Sequence, residues 1–417
     1  YEFTKKYQLN RVYQAKRQVG SAFKPVVYLS ALDLEAFTPW SLVSDRPLKM
    51  KVRGPTGRME DWEVGNGMNR YMMEIPLTKA LEVSSNVAVV RVIRKIGMKR
   101  LQMIIERALG ITREEAERRF PEKVWSLALG TSDMTPHEVA TVYSAIANHG
   151  RAVKPYLIRK VTDSSGNIIF QTPADYGTNG DLIVNRRESI YLIREMMRKV
   201  VAGAHGTGST ARHNCPNVEF VGKTGSSQKH RDSWFVGFNN ELCTVIWFGH
   251  DKNEELSQEM YGGTVSATVW GKYMHRASKV MDFTPLGIPG NLNLVRLKID
   301  VYSGLVAREN MEKGVEAAYF ISGTEPGDYS DWNEARRKWF FLKPNELQEY
   351  EGTSDGRPVA GRNNEPDEIR FENSNTESNQ GSSQPSSGGS QPVPQSTEPI
   401  RRYYGTTENP DNTMPMD

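Results

Sequence analysis

Three apolar runs, Val218–Ser227, Ser233–Phe238 and Leu242–Phe248, follow one another with only a few residues between them. A parallel neighbour needs a crossover of a dozen or more residues, so such short connections predict an antiparallel meander. Asn239-Asn240 marks the second turn, because asparagine tolerates positive φ. Helical patterns surround this block. One begins near Ser21 and runs through Leu32, one lies before Ser84, one runs from Val87 to Gly97, and one from Met98 to Gly110. Thr135-Pro136-His137-Glu138 reads as a capping box with proline at the first helical position, opening a helix to about Ala147. Further helices are expected over Arg186–Ala202 and Thr264–Met281. Tyr156–Thr162 and Asn167–Thr172 flank Asp163-Ser164-Ser165-Gly166 and read as a hairpin, and another strand is expected near Val295–Val301.

With 417 residues, 38% apolar and 25% charged, the chain can bury one large or two ordinary cores. A net charge of +3 gives no argument for nucleic acid, which calls for a clustered basic face. Arg118-Arg119 and Arg336-Arg337-Lys338 are short, isolated runs and read as solvated helix faces. Cys215 and Cys243 make neither a metal cluster nor a disulfide framework, though a single bridge between them is open in an oxidising compartment. No apolar run reaches the ~18 residues of a membrane span. The chain begins at Tyr1 amid polar sequence without a signal peptide, which suggests a piece of a longer protein. Beyond Tyr350 it is Ser, Asn, Gln, Gly, Pro and Glu with few large apolar side chains, a composition expected to stay disordered.

Ser21-Ala22-Phe23-Lys24 places a hydroxyl and an amine at i and i+3, on one helix face. A neutral lysine there can take the hydroxyl proton, and the helix N-terminus adds a positive dipole end. Taken alone, Ser21 is equally well read as a helix cap, and the same spacing recurs at Ser226-Ser227-Gln228-Lys229. Ser84-Ser85-Asn86 falls at a break between two helices, where a hydroxyl and an amide can point into a cleft; the plainer reading makes Asn86 the cap of the helix from Val87. Lys223-Thr224-Gly225 lies inside the first predicted strand. Its lysine and hydroxyl can grip a carboxylate, and its glycine leaves room for a peptide alongside; the plainer reading is a strand with a bulge.

Together and in this order, the three motifs resemble those of class A penicillin-binding proteins of the bifunctional type. The flanks agree: Arg17-Gln18-Val19-Gly20 before Ser21, Leu127-Ala128-Leu129-Gly130 with Thr135-Pro136, Arg231-Asp232-Ser233-Trp234-Phe235-Val236-Gly237, Gly262-Gly263, and Gly323-Thr324-Glu325-Pro326. The likeness runs from about residue 8 to 330; Ser226-Ser227 stands where that family more often has threonine, and the glycosyltransferase, membrane anchor and first strands of the transpeptidase sheet that the family places upstream of Ser21 are expected to lie outside this sequence, leaving the domain N-terminally incomplete. The resemblance implies an α/β transpeptidase fold, a central antiparallel sheet with helices on both sides. It divides the chain into a transpeptidase domain over 1–282, a packed extension over 283–349 and the tail 350–417.

The resemblance also implies roles. Ser21 would attack the D-Ala-D-Ala carbonyl of a peptidoglycan stem peptide, with Lys24 as proton acceptor. Ser84 would relay a proton to the departing D-Ala, Asn86 would hold Lys24 and the substrate amide, and Lys223 would supply a positive field. Thr224 and Ser226 would bind the carboxylate beside Gly225, and the backbone N–H groups of Ser21 and Ser226 would form the oxyanion hole. The acceptor is an amine of a neighbouring stem peptide, β-lactams acylate Ser21, no metal or cofactor is implied, and the setting is extracytoplasmic, with membrane contact only through the upstream part. Two alternatives share the motifs, a β-lactamase and a non-enzymatic β-lactam or muropeptide receptor. A class A β-lactamase needs a deacylating glutamate, and no Glu-x-x-x-Asn lies between Asn86 and Lys223.

Overall fold

The computed structural model describes residues 9–54, 57–174, 176–287, 289, 291–330 and 341–344. All of them lie in the first of two units, residues 1–364 and 365–417. The predicted polar tail and the Arg336-Arg337-Lys338 run fall outside the described residues.

The meander forms as expected. Asp232–Phe238 is the middle strand, antiparallel to Val221–Ser226 on one side and Cys243–Gly249 on the other. Residues 218–220 stay out of the ladder because the middle strand ends opposite Val221, at Phe238. There the chain turns, and Asn239 Oδ1 accepts the N–H groups of Glu241 and Leu242 at 3.0 and 2.7 Å. Side chains alternate across the sheet. Phe235 faces the Ala267–Ala277 helix, where the tilted ring of Trp270 lies 5.1 Å from its own and 4.5 Å from that of Phe220. Trp234 points the other way and donates Nε1–H to the Gln18 carbonyl at 3.0 Å. The Pro136–Ala147 helix packs on that second face, so helices cover both.

The cysteines are free thiols on opposite faces: Cys215 packs in the Trp270 cluster, whereas Cys243 lies 3.8 Å from the Ala140 carbonyl of the Pro136–Ala147 helix. The bridge left open by the sequence is not formed.

The Lys24–Asp33 helix is buried along its whole length, so it reads as apolar on every side and shows little amphipathic signal. Arg187–Ala202 and Asn86–Ile96 pack against it. Asp33 locks its far end, accepting the Asn185 and Arg186 N–H groups at 2.9 and 2.8 Å and pairing with Arg100 at 3.1 Å. The capping box at Thr135 and Glu138 is present.

Some elements are shorter than their patterns, and others were not signalled. The exposed hairpin pairs only Lys160–Thr162 with Ile168–Gln171. The late helix starts with a π-turn over Gly262–Ser266 and becomes regular at Ala267. Two small antiparallel pairs precede Ser84 without having been read from the sequence: Leu42–Ser44 with Glu74–Pro76, and Leu48–Arg53 with Met59–Val64. Leu294–Asp300 pairs with Val315–Ile321, and Ile299, Ala318 and Phe320 close over Trp40.

Candidate active site

Four glycines bring the motifs together by letting backbone touch backbone. A Cβ at Gly20 (φ 59°) would lie 2.3 Å from the Ser226 carbonyl oxygen, and one at Gly130 (φ 74°) 2.1 Å from that of Gly20. One at Gly225 would lie 2.4 Å from the Val19 oxygen, and one at Gly262 2.4 Å from that of Gly225. The turn bearing Ser21 is thus pressed onto the end of the Val221–Ser226 edge strand. This corrects the reading of Gly225: the space where its side chain would be is filled by Val19, so the glycine serves the seating of the Ser21 turn.

Ser21 sits on a 3₁₀ turn, Gly20–Phe23, which runs directly into the Lys24–Asp33 helix. The Tyr143 hydroxyl donates to the Ala22 carbonyl at 2.5 Å and pins this join. Ser21 is half-buried, whereas Ala22, Phe23 and Lys24 are buried, so the hydroxyl-bearing residue is at the surface of the turn and the amine is beneath it.

Lys24 and Lys223 are both fully buried and meet at one hydroxyl. Lys24 Nζ donates to the Ser84 carbonyl at 2.6 Å and to Asn86 Oδ1 at 2.7 Å, and lies 3.2 Å from Ser84 Oγ. Lys223 Nζ donates to Ser84 Oγ at 2.9 Å and to the Thr224 carbonyl and hydroxyl, each at 3.2 Å. Burial, reinforced by the charge of Lys223 and opposed by Asp45, holds the Lys24 amine well below the usual lysine range. Burial brings Lys223 down to about 7. A neutral Lys24 has two N–H donors, both used on oxygens that can only accept, so its lone pair is the group left over. The hydroxyl beside that amine is Ser84 Oγ, at 3.2 Å.

Ser84 occupies the break between the Leu77–Glu82 and Asn86–Ile96 helices, with φ of 60°. Ser85, not Asn86, caps the second helix, accepting the Ala88 N–H at 2.9 Å. Asn86 is released from capping: its Oδ1 takes Lys24, and its Nδ2 donates to the Gly65 carbonyl at 2.7 Å. Thr224 Oγ1 lies 2.9 Å from Thr207 Oγ1, and Ser226 Oγ accepts the Gly262 N–H at 3.0 Å. Every residue selected from the three motifs thus falls in one region. Thr207, Asn66 and Asp45 also reach it but were missed; only Gly206-Thr207-Gly208 left a local mark, as a glycine-flanked hydroxyl.

A half-exposed serine one turn before a buried amine, a second serine shared by two amines and an edge strand beside them define a site of the serine acyl-transferase class. Residues 2–275 match the penicillin binding protein transpeptidase domain, and the chain belongs to that family. Among its relatives, penicillin-binding protein 1A of Neisseria lactamica is 35% identical over 280 residues, covering 67% of this chain and 33% of the relative. The Pseudomonas aeruginosa protein of that name is 32% identical over 357 residues, covering 75% and 41%. The crystal structure of penicillin-binding protein 1A from Haemophilus influenzae superposes with a TM-score of 0.67 at 26% identity, covering 78% of this chain and 51% of that one. PonA1 from Mycobacterium tuberculosis in complex with penicillin V shares the fold, with a TM-score of 0.55 at 20% identity over 68% of this chain and 75% of that one. The chain therefore spans about a third of the length of the Neisseria relative.

Proposed function

We propose that residues 1–282 are a peptidoglycan D,D-transpeptidase working through a Ser21 acyl-enzyme, with 283–349 as an extension of that domain. The observation that carries this reading is the Ser84 hydroxyl held between Lys24 and Lys223. Lys24 takes the Ser21 proton as Ser21 Oγ bonds to the carbonyl carbon of the penultimate D-Ala. The oxyanion is held by the Ser21 and Ser226 N–H groups, where one such donor contributes about 3 kcal/mol. As the C–N bond breaks, Ser84 passes a proton to the leaving amine and draws a replacement from the adjacent lysines. Lys223, Thr224 and Ser226 hold the terminal carboxylate, and Asn86 orients Lys24. An amine of a second stem peptide then attacks the ester, releases Ser21 and completes a crosslink. The substrate places the site on the outer side of the cytoplasmic membrane; no helix among the described residues is long and apolar enough to cross it.

A β-lactam would be attacked in the same way but loses no fragment, so its ring-opened product stays over the ester. Rapid release would need a water-activating base, worth typically ~10²–10⁴-fold. Labelling with fluorescent penicillin followed by excess unlabelled drug tests this. The adduct is expected to persist for minutes or longer; release within seconds would mean a β-lactamase.

A further inference from the structure

A buried carboxylate outside the three motifs holds the turn that carries Ser84 and Asn86. Asp45 is 1% exposed and follows the Leu42–Ser44 strand. Its Oδ2 accepts the Met72 N–H at 2.8 Å. Its Oδ1 accepts Asn66 Nδ2 at 2.8 Å and the Ser85 hydroxyl. Asn66 then presents its own oxygen to the N–H groups of Asn86 and Val87, at 2.8 and 3.2 Å. Ser85 Oγ accepts from Ala88. One carboxylate thus orients, through two side chains, the acceptors for three consecutive N–H groups at the start of the Asn86–Ile96 helix. That helix start fixes where Ser84 and Asn86 meet Lys24.

Burying a carboxylate is costly unless donors and charge compensate it. Neutral side chains would cap the helix equally well, so the charge calls for a separate account. Lys24 and Asp45 each feel the other's charge. The other groups facing this pair are Tyr28 on the Lys24 helix, Lys223 on the edge strand, Tyr71, and Glu74 on the Glu74–Pro76 strand. Arg46 and Arg91 lie beside Glu74.

We propose that Asp45 is a positioning residue for the acyl transfer: through Asn66 and Ser85 it sets the turn presenting Ser84 and Asn86, and its carboxylate faces Lys24 from behind that turn. This rests on the reading of Lys24 as the proton acceptor.

The test is the acylation rate of this chain by fluorescent penicillin from pH 5 to 9, in the native sequence, Asp45→Asn, Asn66→Ala, Ser85→Ala and Lys24→Ala. In Asp45→Asn an amide nitrogen confronts one of the three donors, so the rate at pH 7 is expected to fall about ten- to a hundredfold, the loss of one or two charge-assisted hydrogen bonds. Losing the negative charge favours neutral Lys24, so the acid limb of the profile should move to lower pH. Asn66→Ala should slow acylation with that limb in place, because the charge remains. A slower Asp45→Asn with an unmoved limb would reduce Asp45 to scaffolding and overturn the proposal, as would an unchanged rate. If Asp45→Asn does not fold, native rates in both Asn66→Ala and Ser85→Ala would overturn it instead. Undiminished acylation in Lys24→Ala would refute the underlying mechanism rather than this inference alone.

Discussion

Lys223 Nζ donates to Ser84 Oγ at 2.9 Å across 139 residues of chain, joining the edge strand to the turn between two helices. The amine end of this contact is fully buried, whereas Ser84 is half-buried and open toward the cleft side. The contact gives the site a second amine whose charge is lost near neutrality.

The pH profile of acylation should record that loss. Lys223 releases its proton at about 7 in the free protein, so its pull on a substrate carboxylate weakens as pH rises above that value. The expected result is an alkaline limb opening near pH 7. Arginine keeps its charge across this range, so Lys223→Arg should retain part of the rate and lose the limb, whereas Lys223→Ala should be slow at every pH. A limb that survives in Lys223→Arg would assign it to another group.

The same burial should make the native chain less stable than it could be. An unfolded lysine keeps its proton to about 10.5, and folded Lys223 releases it at about 7. Between these values the unfolded state binds more protons, so stability rises with pH by at most about 1.4 kcal/mol per unit. Below about 7 the destabilisation is fully present. Lys223→Met should therefore melt higher than the native chain at pH 7, with the gap narrowing toward pH 10. A lower melting temperature at pH 7 would show that the hydrogen bonds of Lys223 outweigh its desolvation.

The glycine contacts predict a separation of stability from acylation. Gly20→Ala and Gly97→Ala each force a positive φ (59° and 72°) on a residue with a side chain, at about 1–3 kcal/mol. Gly97 has nothing within 4 Å of the added carbon, whereas at Gly20 it meets the Ser226 carbonyl. Both variants should melt lower, and only Gly20→Ala should lose acylation beyond its loss of folded protein. Parallel melting and labelling curves decide this; normal labelling of folded Gly20→Ala would mean that the Ser21 turn tolerates displacement from the strand.

These contacts show what could be read from the sequence. Strands 221–249 were legible because alternation and short turns are local, and Thr135–Glu138 because a capping box occupies four adjacent residues. The motif lysines and serines stood out because each sits at a fixed spacing from another polar group. Asp45 and Asn66 did not, since each lies alone among unrelated neighbours and acquires its partners only through small strand pairs with weak patterns. Gly225 was assigned space for a ligand because a sequence shows an absent side chain but not what fills its place. Ser85 takes the cap that the plainer reading gave to Asn86, because the turn at Ser84 sets the helix start one residue earlier.

The central claim is that Ser21 is the nucleophile, and intact-mass measurement after exposure to penicillin tests it most directly. The native chain should gain the mass of one penicillin and Ser21→Ala should gain none, while both melt at similar temperatures. One full adduct on folded Ser21→Ala would place the reacting hydroxyl elsewhere and contradict the account.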